Sequence, residues 1–298
     1  MRISAAHYVL DMSANHPSVA EVESGGVVTF DTMDCFSNCI AREDQLFSSV
    51  GWDKINPATG PVFVKDAVPG DILKVEILDI RVAKQGVMTT APGFGALGKE
   101  MTKEITKIVK IEDGKAIIND RVSLPIHPMI GVIGVAPEKE AISTGTPGEH
   151  GGNMDCKRIV KGAVLYLPVN VDGALLAMGD LHAVMGDGEI VVCGVEIAGE
   201  VDVRLSVLKG VSLPTPFLIE KDSLMTIASA KTLDEAAVKA TQKMHRFLCE
   251  RLNIENHEAG MLLSAAADLR ICQIVDPLMT ARMEFPTEIA KLYAFKAD

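Results

Sequence analysis

Long apolar runs are missing from this sequence. None of its hydrophobic stretches approaches the roughly 20 residues that a membrane-spanning helix requires. The opening segment from Met1 to His7 also lacks the apolar core that marks a secretory signal. We therefore expect a cytoplasmic protein that has no membrane partner.

Basic residues are also fewer than acidic residues. The chain has 29 Lys and Arg residues against 40 Asp and Glu residues, which gives a formal net charge of −11. A surface with this balance repels nucleic-acid phosphates and anionic lipid headgroups. Nucleic acid is consequently not expected as a partner.

Cysteine and histidine spacings typical of known metal modules are absent as well. Cys35 and Cys39 have no second pair to complete a zinc finger, and there is no His-x-His pair of the cupin type. With 298 residues, of which 48% are hydrophobic, the chain can bury a large core without cross-links. We therefore expect the six scattered cysteines to be reduced thiols. Cys156 and Cys193 could act as nucleophiles, but core positions are favoured for both.

Short β-branched segments, separated by Gly, Pro or Asp, occupy most of the chain. Over residues 73–80 apolar and polar side chains alternate, which is typical of a strand with one face on a core and the other in water. The pattern predicts strands over residues 27–30, 62–64, 73–82, 105–111, 163–169, 189–196, 201–207 and 269–275. Many short strands joined by turns predict a mainly β protein whose body is a sandwich or barrel.

The last quarter of the sequence has a different character. A capping box begins at Thr232, and apolar side chains recur at helical spacing over residues 237–252. A second helix is predicted over residues 258–267. We therefore predict a β-rich catalytic body over residues 1–214 and a smaller C-terminal α/β unit over residues 215–298.

The stretch from Gly151 to Glu196 holds the densest set of chemically useful side chains. Its acids and its one histidine lie in short Gly-bounded segments between strand-like runs. Metal and hydrolytic sites are often built from such segments at strand ends. Because Asp180 and His182 are two residues apart, a strand would direct both side chains to the same face.

These residues predict a divalent metal site with Asp34, Asp155, Asp180 and His182 as ligands. Mixed carboxylate and imidazole ligands favour zinc, with manganese or calcium as alternatives. A bound ion would activate a water molecule and polarise a carbonyl group. The competing interpretation is that the acids cap turns and that His182 is a core histidine. It is favoured for any one residue alone, whereas the whole set favours a metal site.

Glu196 is the first candidate for acid/base chemistry. It follows an apolar segment, where a charge without a partner is costly. Glu149 and His127 are further candidates for proton transfer or substrate positioning, and Asn153 can donate to a carbonyl oxygen that gains charge. The alternative, that Glu196 ends a strand in water, is about equally supported by the sequence.

Several ordered motifs resemble the acetamidase/formamidase family. They cover residues 32–36, 55–62, 126–137, 151–155, 179–182 and 186–189, and so extend over nearly the whole chain. The resemblance implies a β-sandwich hydrolase that forms a dimer or larger homo-oligomer. It further implies cleavage of the C–N bond of short amides such as formamide or acetamide, with release of ammonia and a carboxylate. Met185 and Cys39 depart from the family pattern, in which Gln is common at both positions.

A second class of function fits the same composition. A non-catalytic β-sandwich module could bind a small amide or carbohydrate while its acids hold a structural calcium ion. His182 argues against this alternative, because a structural calcium site has no use for an imidazole.

Overall fold

The computed structural model describes residues 1–295, which form twenty-two strands and three α-helices. In chain order the strands begin with β1 (Arg2–Ile3), β2 (Tyr8–Val9), β3 (Asp11–Met12), β4 (Ala20–Val22), β5 (Gly26–Thr32), β6 (Ala58–Val64), β7 (Ile72–Val82), β8 (Gln85–Thr90), β9 (Ile105–Glu112), β10 (Lys115–Ile117) and β11 (Ser123–Pro125). They continue with β12 (Met129–Gly134), β13 (Ile142–Ser143), β14 (Gly151–Asn153), β15 (Val164–Pro168), β16 (Leu176–His182), β17 (Glu196–Ile197), β18 (Gly199–Leu208), β19 (Phe217–Glu220), β20 (Ser223–Ala230), β21 (Asp268–Gln273) and β22 (Met279–Pro286). The helices are α1 (Leu233–Arg251), α2 (Asn256–Ala266) and α3 (Thr287–Leu292).

Most of these strands belong to two large sheets. The first has the order β1-β5-β18-β7-β15-β19-β20-β22-β21. The second has the order β11-β10-β9-β8-β17-β16-β12-β14, with β6 beside β16, and β2 and β4 beside β6. One cluster of buried side chains includes Phe30 and Val203 from the first sheet and Met178 and Ile197 from the second. The two sheets therefore enclose a common core, and the predicted mainly β sandwich is confirmed.

One predicted strand is wrong. Of residues 189–196, only Glu196 lies in a strand, at the start of β17. Glu189 and Val192 have φ angles of 49° and 84°, which belong to the left-handed region and interrupt an extended strand. Glu196 therefore begins a strand instead of ending one, and the apolar segment before it forms turns.

The C-terminal helices agree with the prediction. Thr232 is the N-cap of α1, where its side chain accepts a hydrogen bond from the backbone N–H of Glu235. The apolar positions of α1, including Ala240, Met244 and Phe247, are buried in a second core against β20 and β22. Within residues 1–295, no helix has the length and apolarity needed to cross a bilayer.

The C-terminal region is joined to the body through the first sheet. Strands β19 to β22 extend that sheet outward from β15 by antiparallel pairing. The division of the chain after residue 214 stays a prediction. Residues 296–298 of the predicted C-terminal unit lie outside the described residues.

Candidate active site

His182 lies at the centre of a buried group of carboxylates. Its Nε2 atom is 3.1 Å from Oε2 of Glu196, 3.4 Å from Oδ1 of Asp180, 3.7 Å from Oδ1 of Asp155 and 3.8 Å from Oε1 of Glu189. All five side chains are buried. The described structure thus brings together the predicted residues Asp155, Asp180, His182 and Glu196, and adds Glu189.

Strand pairing explains part of this convergence. His182 is the last residue of β16 and lies directly opposite Glu196 in β17. Asp180 precedes it in the same strand with a φ of 53°, and Asp155 follows β14 with a φ of 41°. Because β14 pairs with β12 and β12 with β16, these acids arrive from neighbouring strands at one place in the sheet.

A glycine in β12 makes room for two of the carboxylates. A Cβ atom on Gly131 would lie 2.5 Å from Oδ1 of Asp155 and 2.5 Å from Oδ2 of Asp180. Carbon and oxygen atoms cannot approach so closely without displacement. The absence of a side chain at residue 131 is therefore a condition for Asp155 and Asp180 to lie side by side.

Several polar atoms of this group make no hydrogen bond. They are both carboxylate oxygens of Asp155, Nε2 of His182, Oε2 of Glu189 and Oε2 of Glu196, none of which has a partner of normal geometry among residues 1–295. Buried polar atoms are rarely left in this state, because the loss of hydration is not compensated. The cluster therefore holds several oxygen and nitrogen atoms without hydrogen bonds, close together, that could bind an ion.

Burial raises the pKa of the carboxyl groups in the cluster. It raises the pKa of Asp155 to about 6 and that of Glu196 to about 8, and it raises the pKa of Glu189 well above its ordinary value. Burial alone would lower the pKa of His182, but the carboxylates of Glu196 and Asp180 have the larger opposite effect and raise it. The cluster thus retains protons near neutral pH, which a divalent cation could replace.

His182 also has a contact at its other ring nitrogen. Nδ1 lies 3.2 Å from the thioether sulfur of Met185. A sulfur atom is a weak acceptor, and its position at Nδ1 leaves Nε2 directed toward the carboxylates. Met185 therefore orients the imidazole, although the sequence indicated it only as a departure from a family pattern.

A cavity of about 400 Å³ leads to the cluster. Asp180, Glu189 and Glu196 line its inner end together with Asn153 and the carboxylate of Asp276. His182 and Asp155 contact these acids without lining the cavity themselves. A small molecule that entered this cavity would meet the carboxylates directly.

Sequence reasoning missed Glu189, Asp276 and Cys35 as site residues. Cys35, Asp180 and Glu196 place ligand atoms within 4.8 Å of one another, as do Asp155, His182 and Glu189. Glu189 and Cys35 were present in the motifs considered above, so the motifs could have indicated them. Asp276 belongs to the C-terminal region, and no local pattern connects it with the cluster.

The comparison with known proteins agrees with this architecture. A family model described as the acetamidase/formamidase family matches residues 12–146 and 138–292. The chain belongs to this family.

Two solved structures are similar to this family member over nearly its whole length. An acetamidase from Bacillus halodurans is 50% identical and has a TM-score of 0.98, with coverage of 99% of this chain and 100% of that chain. A predicted acetamidase/formamidase from Thermoanaerobacter tengcongensis is 45% identical and has a TM-score of 0.97, with coverage of 99% and 98%.

A formamidase from Methylophilus methylotrophus is 27% identical over 65% of this chain. The chain spans 62% of the length of that formamidase.

Three further candidate residues of this family member lie outside the group around His182. Oδ1 of Asp34 accepts hydrogen bonds from the backbone N–H groups of Phe36 and Asn38, at 3.0 Å and 2.7 Å, so this carboxylate caps a turn beside the cluster. The Glu149 side chain is 67% exposed and forms an ion pair with Lys243 at 2.7 Å. His127 lines a different cavity, which also contains Lys157. The structure does not bring these three side chains into the group around His182.

The thiols do not offer a nucleophile in this family member. Sγ of Cys193 is engaged with the backbone of Thr89 at 3.2 Å and 3.3 Å. A hydrogen bond with Cys272 lowers the pKa of Cys156, but this thiol is fully buried and does not line the cavity. Burial, together with the nearby carboxylates, raises the pKa of Cys35. Thiolate formation, which nucleophilic attack requires, is thus disfavoured at Cys35.

Proposed function

We propose that this protein hydrolyses the C–N bond of carboxylic amides to a carboxylate and ammonia. The observation that carries the proposal is the convergence of four carboxylates on His182 at the end of a cavity, where several buried polar atoms have no hydrogen-bond partner among residues 1–295. Family membership and the similarity to an acetamidase of 50% identity support it. Short linear amides such as formamide and acetamide are the first substrates to test.

A divalent ion fits the inner residues of the cluster. Ligand atoms about 2.0–2.2 Å from a zinc ion are roughly 3.3–3.6 Å apart at tetrahedral angles. Nε2 of His182 lies 3.4 Å from Asp180, 3.7 Å from Asp155 and 3.8 Å from Glu189, so small side-chain movements would complete such a geometry. Ligand atoms of Asp155, His182 and Glu189 all lie within 4.8 Å of one another. We assign Asp155, His182 and Glu189 as ligands, with Asp180 adjacent. When bound, the ion would polarise the amide carbonyl and acidify a water molecule.

Zinc or manganese is proposed in preference to calcium. Calcium selects oxygen ligands, whereas this cluster contains an imidazole and has the Cys35 thiol at its edge. The orientation of His182 by Met185 supports the same choice, because a ligating histidine usually has a hydrogen-bond partner at its second nitrogen.

Glu196 is proposed as the proton-transfer group. It faces the cavity, while its Oε1 accepts a hydrogen bond from the backbone N–H of Gly194 at 2.8 Å. This contact fixes the carboxyl group and leaves Oε2 free to act. One carboxyl group in that position can take a proton from the attacking water and then return it to the departing nitrogen. Burial raises the pKa of this carboxyl group, which suits a group that takes up a proton and then returns it.

Asn153 is proposed to position the amide group of the substrate. Its side chain is buried and lines the cavity, and Oδ1 has no hydrogen-bond partner among residues 1–295. This oxygen can accept an N–H of the substrate, while the carbonyl group of the substrate turns toward the inner end of the cavity. The amide side chain thereby selects an amide over an ester, which has no N–H to donate.

We further propose that the enzyme is a cytoplasmic homo-oligomer. The six cysteines, all within the described residues, are free thiols, which suits a reducing compartment. The oligomer is proposed from the family resemblance, and its subunit number is open to measurement by light scattering.

The proposed function is tested by ammonia release from purified protein supplied with zinc or manganese. Formamide and acetamide are expected to give ammonia and the matching carboxylate in equal amounts. A non-catalytic binding module would release none, and this result with metal-loaded, folded protein would reject amide hydrolysis.

A further inference from the structure

Four aromatic side chains line the same cavity, and Trp52 is the most exposed of them. Phe47 is at the centre of the group, with ring centroids 6.0 Å from Phe36, 5.2 Å from Trp52 and 5.6 Å from Phe94. Trp52 and Phe94 also contact each other at 5.6 Å. We call these four residues the aromatic mouth.

The aromatic mouth is unusual for this composition. Aromatic residues make up only 4% of the chain, and Trp52 is its single tryptophan. Nevertheless Trp52 is 66% exposed, although tryptophan is usually highly buried. It lies on the short 3₁₀ helix Trp52–Lys54, and Phe47 begins the 3₁₀ helix Phe47–Ser49, so two adjacent turns of backbone present these rings to the cavity.

Two parts of the cavity lining differ in chemistry. One part of the lining is formed by carboxylates and Asn153, and another combines the aromatic mouth with the apolar side chains of Ile55, Val192 and Val275. The remaining polar lining is uncharged and comes from Asn56, Thr89, Ser143 and Thr146. A ligand that fills both parts must therefore have a polar amide at one end and an apolar group at the other. An acidic group in the apolar part would be repelled by the nearby carboxylates.

The volume of the cavity exceeds what a short amide needs. An engineered cavity of about 150 Å³ is enough to hold benzene. The present cavity has about 400 Å³, so acetamide, with four heavy atoms, would leave the aromatic mouth unfilled. An amide with an aromatic or branched acyl group would fill both parts.

We propose that the preferred substrates are uncharged amides whose acyl part carries an apolar group of about the size of a phenyl ring. The apolar group packs against Trp52, Phe47 and Phe94 while the amide reaches Glu196 and Asn153. The inference rests on the proposed amide hydrolysis and specifies its substrate class. Each methylene that fits an apolar pocket changes kcat/KM by about 10-fold or more, so a ring-sized group has a clear kinetic signature.

The kinetic test compares kcat/KM for phenylacetamide and acetamide in the metal-loaded enzyme. We expect phenylacetamide to exceed acetamide by at least about 10-fold. Trp52→Ala should lower this ratio by about 10-fold, and Phe94→Leu, which keeps apolar volume, should lower it less. Val238→Ala, at a 56% exposed position on α1, is the control and should keep the ratio of the wild type. A ratio near one that Trp52→Ala does not change overturns the inference.

A binding test separates this inference from the proposed function. Trp52 is the only indole in the chain, so its fluorescence reports directly on occupation of the aromatic mouth. In the Glu196→Gln variant, phenylacetamide should change Trp52 emission saturably, at a concentration at least about 10-fold lower than acetamide. If the wild-type enzyme releases ammonia from no amide but this titration is observed in Glu196→Gln, hydrolysis is rejected while the apolar binding site stands. The absence of a saturable change with phenylacetamide overturns the inference, whether or not acetamide is hydrolysed.

Discussion

Nε2 of His182 and Oε2 of Glu196 are 3.1 Å apart across the paired strands β16 and β17, yet neither atom makes a hydrogen bond of normal geometry within residues 1–295. The separation is short because the two residues are direct partners in the sheet. A cation bound between His182 and the carboxylates would give Nε2 a bonding partner, which Glu196 alone does not provide. The same register leaves Glu196 facing the cavity, where a substrate amide could meet it.

Replacement of Glu196 by Gln should remove most of the turnover while the fold is kept. The amide occupies nearly the same volume but cannot accept a proton from water. Proton transfer by a positioned side chain commonly contributes about 10²–10⁴-fold, so kcat should fall by at least about 100-fold. Steady-state ammonia release, together with an unchanged melting curve, checks this expectation.

Glu149→Gln is the matched control for the Glu196→Gln experiment. Its carboxylate is largely exposed and pairs with Lys243, away from the group around His182. We expect turnover within about 2-fold of the wild type. A large loss for Glu149→Gln combined with normal turnover for Glu196→Gln would reverse the assignment.

Metal-free protein should lose stability as pH rises from 5 to 8. The folded-state pKa values of Asp155 and Glu196 are raised to about 6 and about 8, against about 4 in an unfolded chain. The unfolded state therefore releases these protons at lower pH, and the free energy of unfolding falls as pH rises through the folded-state values. Carboxyl groups with lowered pKa, such as Asp79 and Asp202, are ionised in both states over this range and do not oppose the trend.

Denaturant unfolding at several pH values, with and without a chelator, measures this effect. Bound divalent ion should weaken the decline, because the ion replaces the protons in the folded state. Asp155→Asn should weaken it as well. A metal-free protein whose stability rises from pH 5 to 8 would contradict the described cluster.

The sequence was sufficient for the strand over residues 73–82, which the structure has as β7, and for the helix that begins after Thr232. In both cases the information is local, in an alternating or helical pattern with recognisable ends. It was insufficient for the backbone around Glu189. This residue belongs to a recognisable motif, but its left-handed backbone breaks the strand that its apolar neighbours predict.

Asp276 illustrates a different limit of the sequence. The turn that carries it is held by Gln273, whose Oε1 accepts the backbone N–H of Asp276 at 3.1 Å. Gln273 itself pairs with Gly188 in an isolated bridge to the segment that carries Glu189. Such a contact between distant segments depends on the whole sheet, so no local pattern could indicate that Asp276 reaches the cavity.

Gly131→Ala should impair the site more than the fold. The new methyl group would collide with the carboxylates of Asp155 and Asp180, which must move apart. Displacement of catalytic groups by about 1 Å can lower kcat/KM by roughly 100-fold. Gly186→Ala is the control, because a Cβ there would meet no atom of the described residues within 4 Å. Equal activities of the two variants would show that the spacing of the carboxylates is unimportant.

Met185 should influence metal affinity through His182. Met185→Leu removes the acceptor at Nδ1, and loss of such a partner typically lowers metal affinity by about 10–100-fold. Met185→Gln supplies a stronger acceptor and should bind the ion at least as tightly as the wild type. Competition with a chromophoric chelator measures both variants. The same affinity in Met185→Leu as in the wild type would separate Met185 from the metal site.

The most direct test of the account is a crystal structure of metal-loaded Glu196→Gln protein soaked with acetamide. We expect the ion on Asp155, His182 and Glu189, with the carbonyl oxygen of the amide turned toward it and the amide nitrogen within hydrogen-bond distance of Oδ1 of Asn153. An amide bound elsewhere, with the cavity beside Glu196 filled only by water, would contradict the assignment of this cluster as the hydrolytic site.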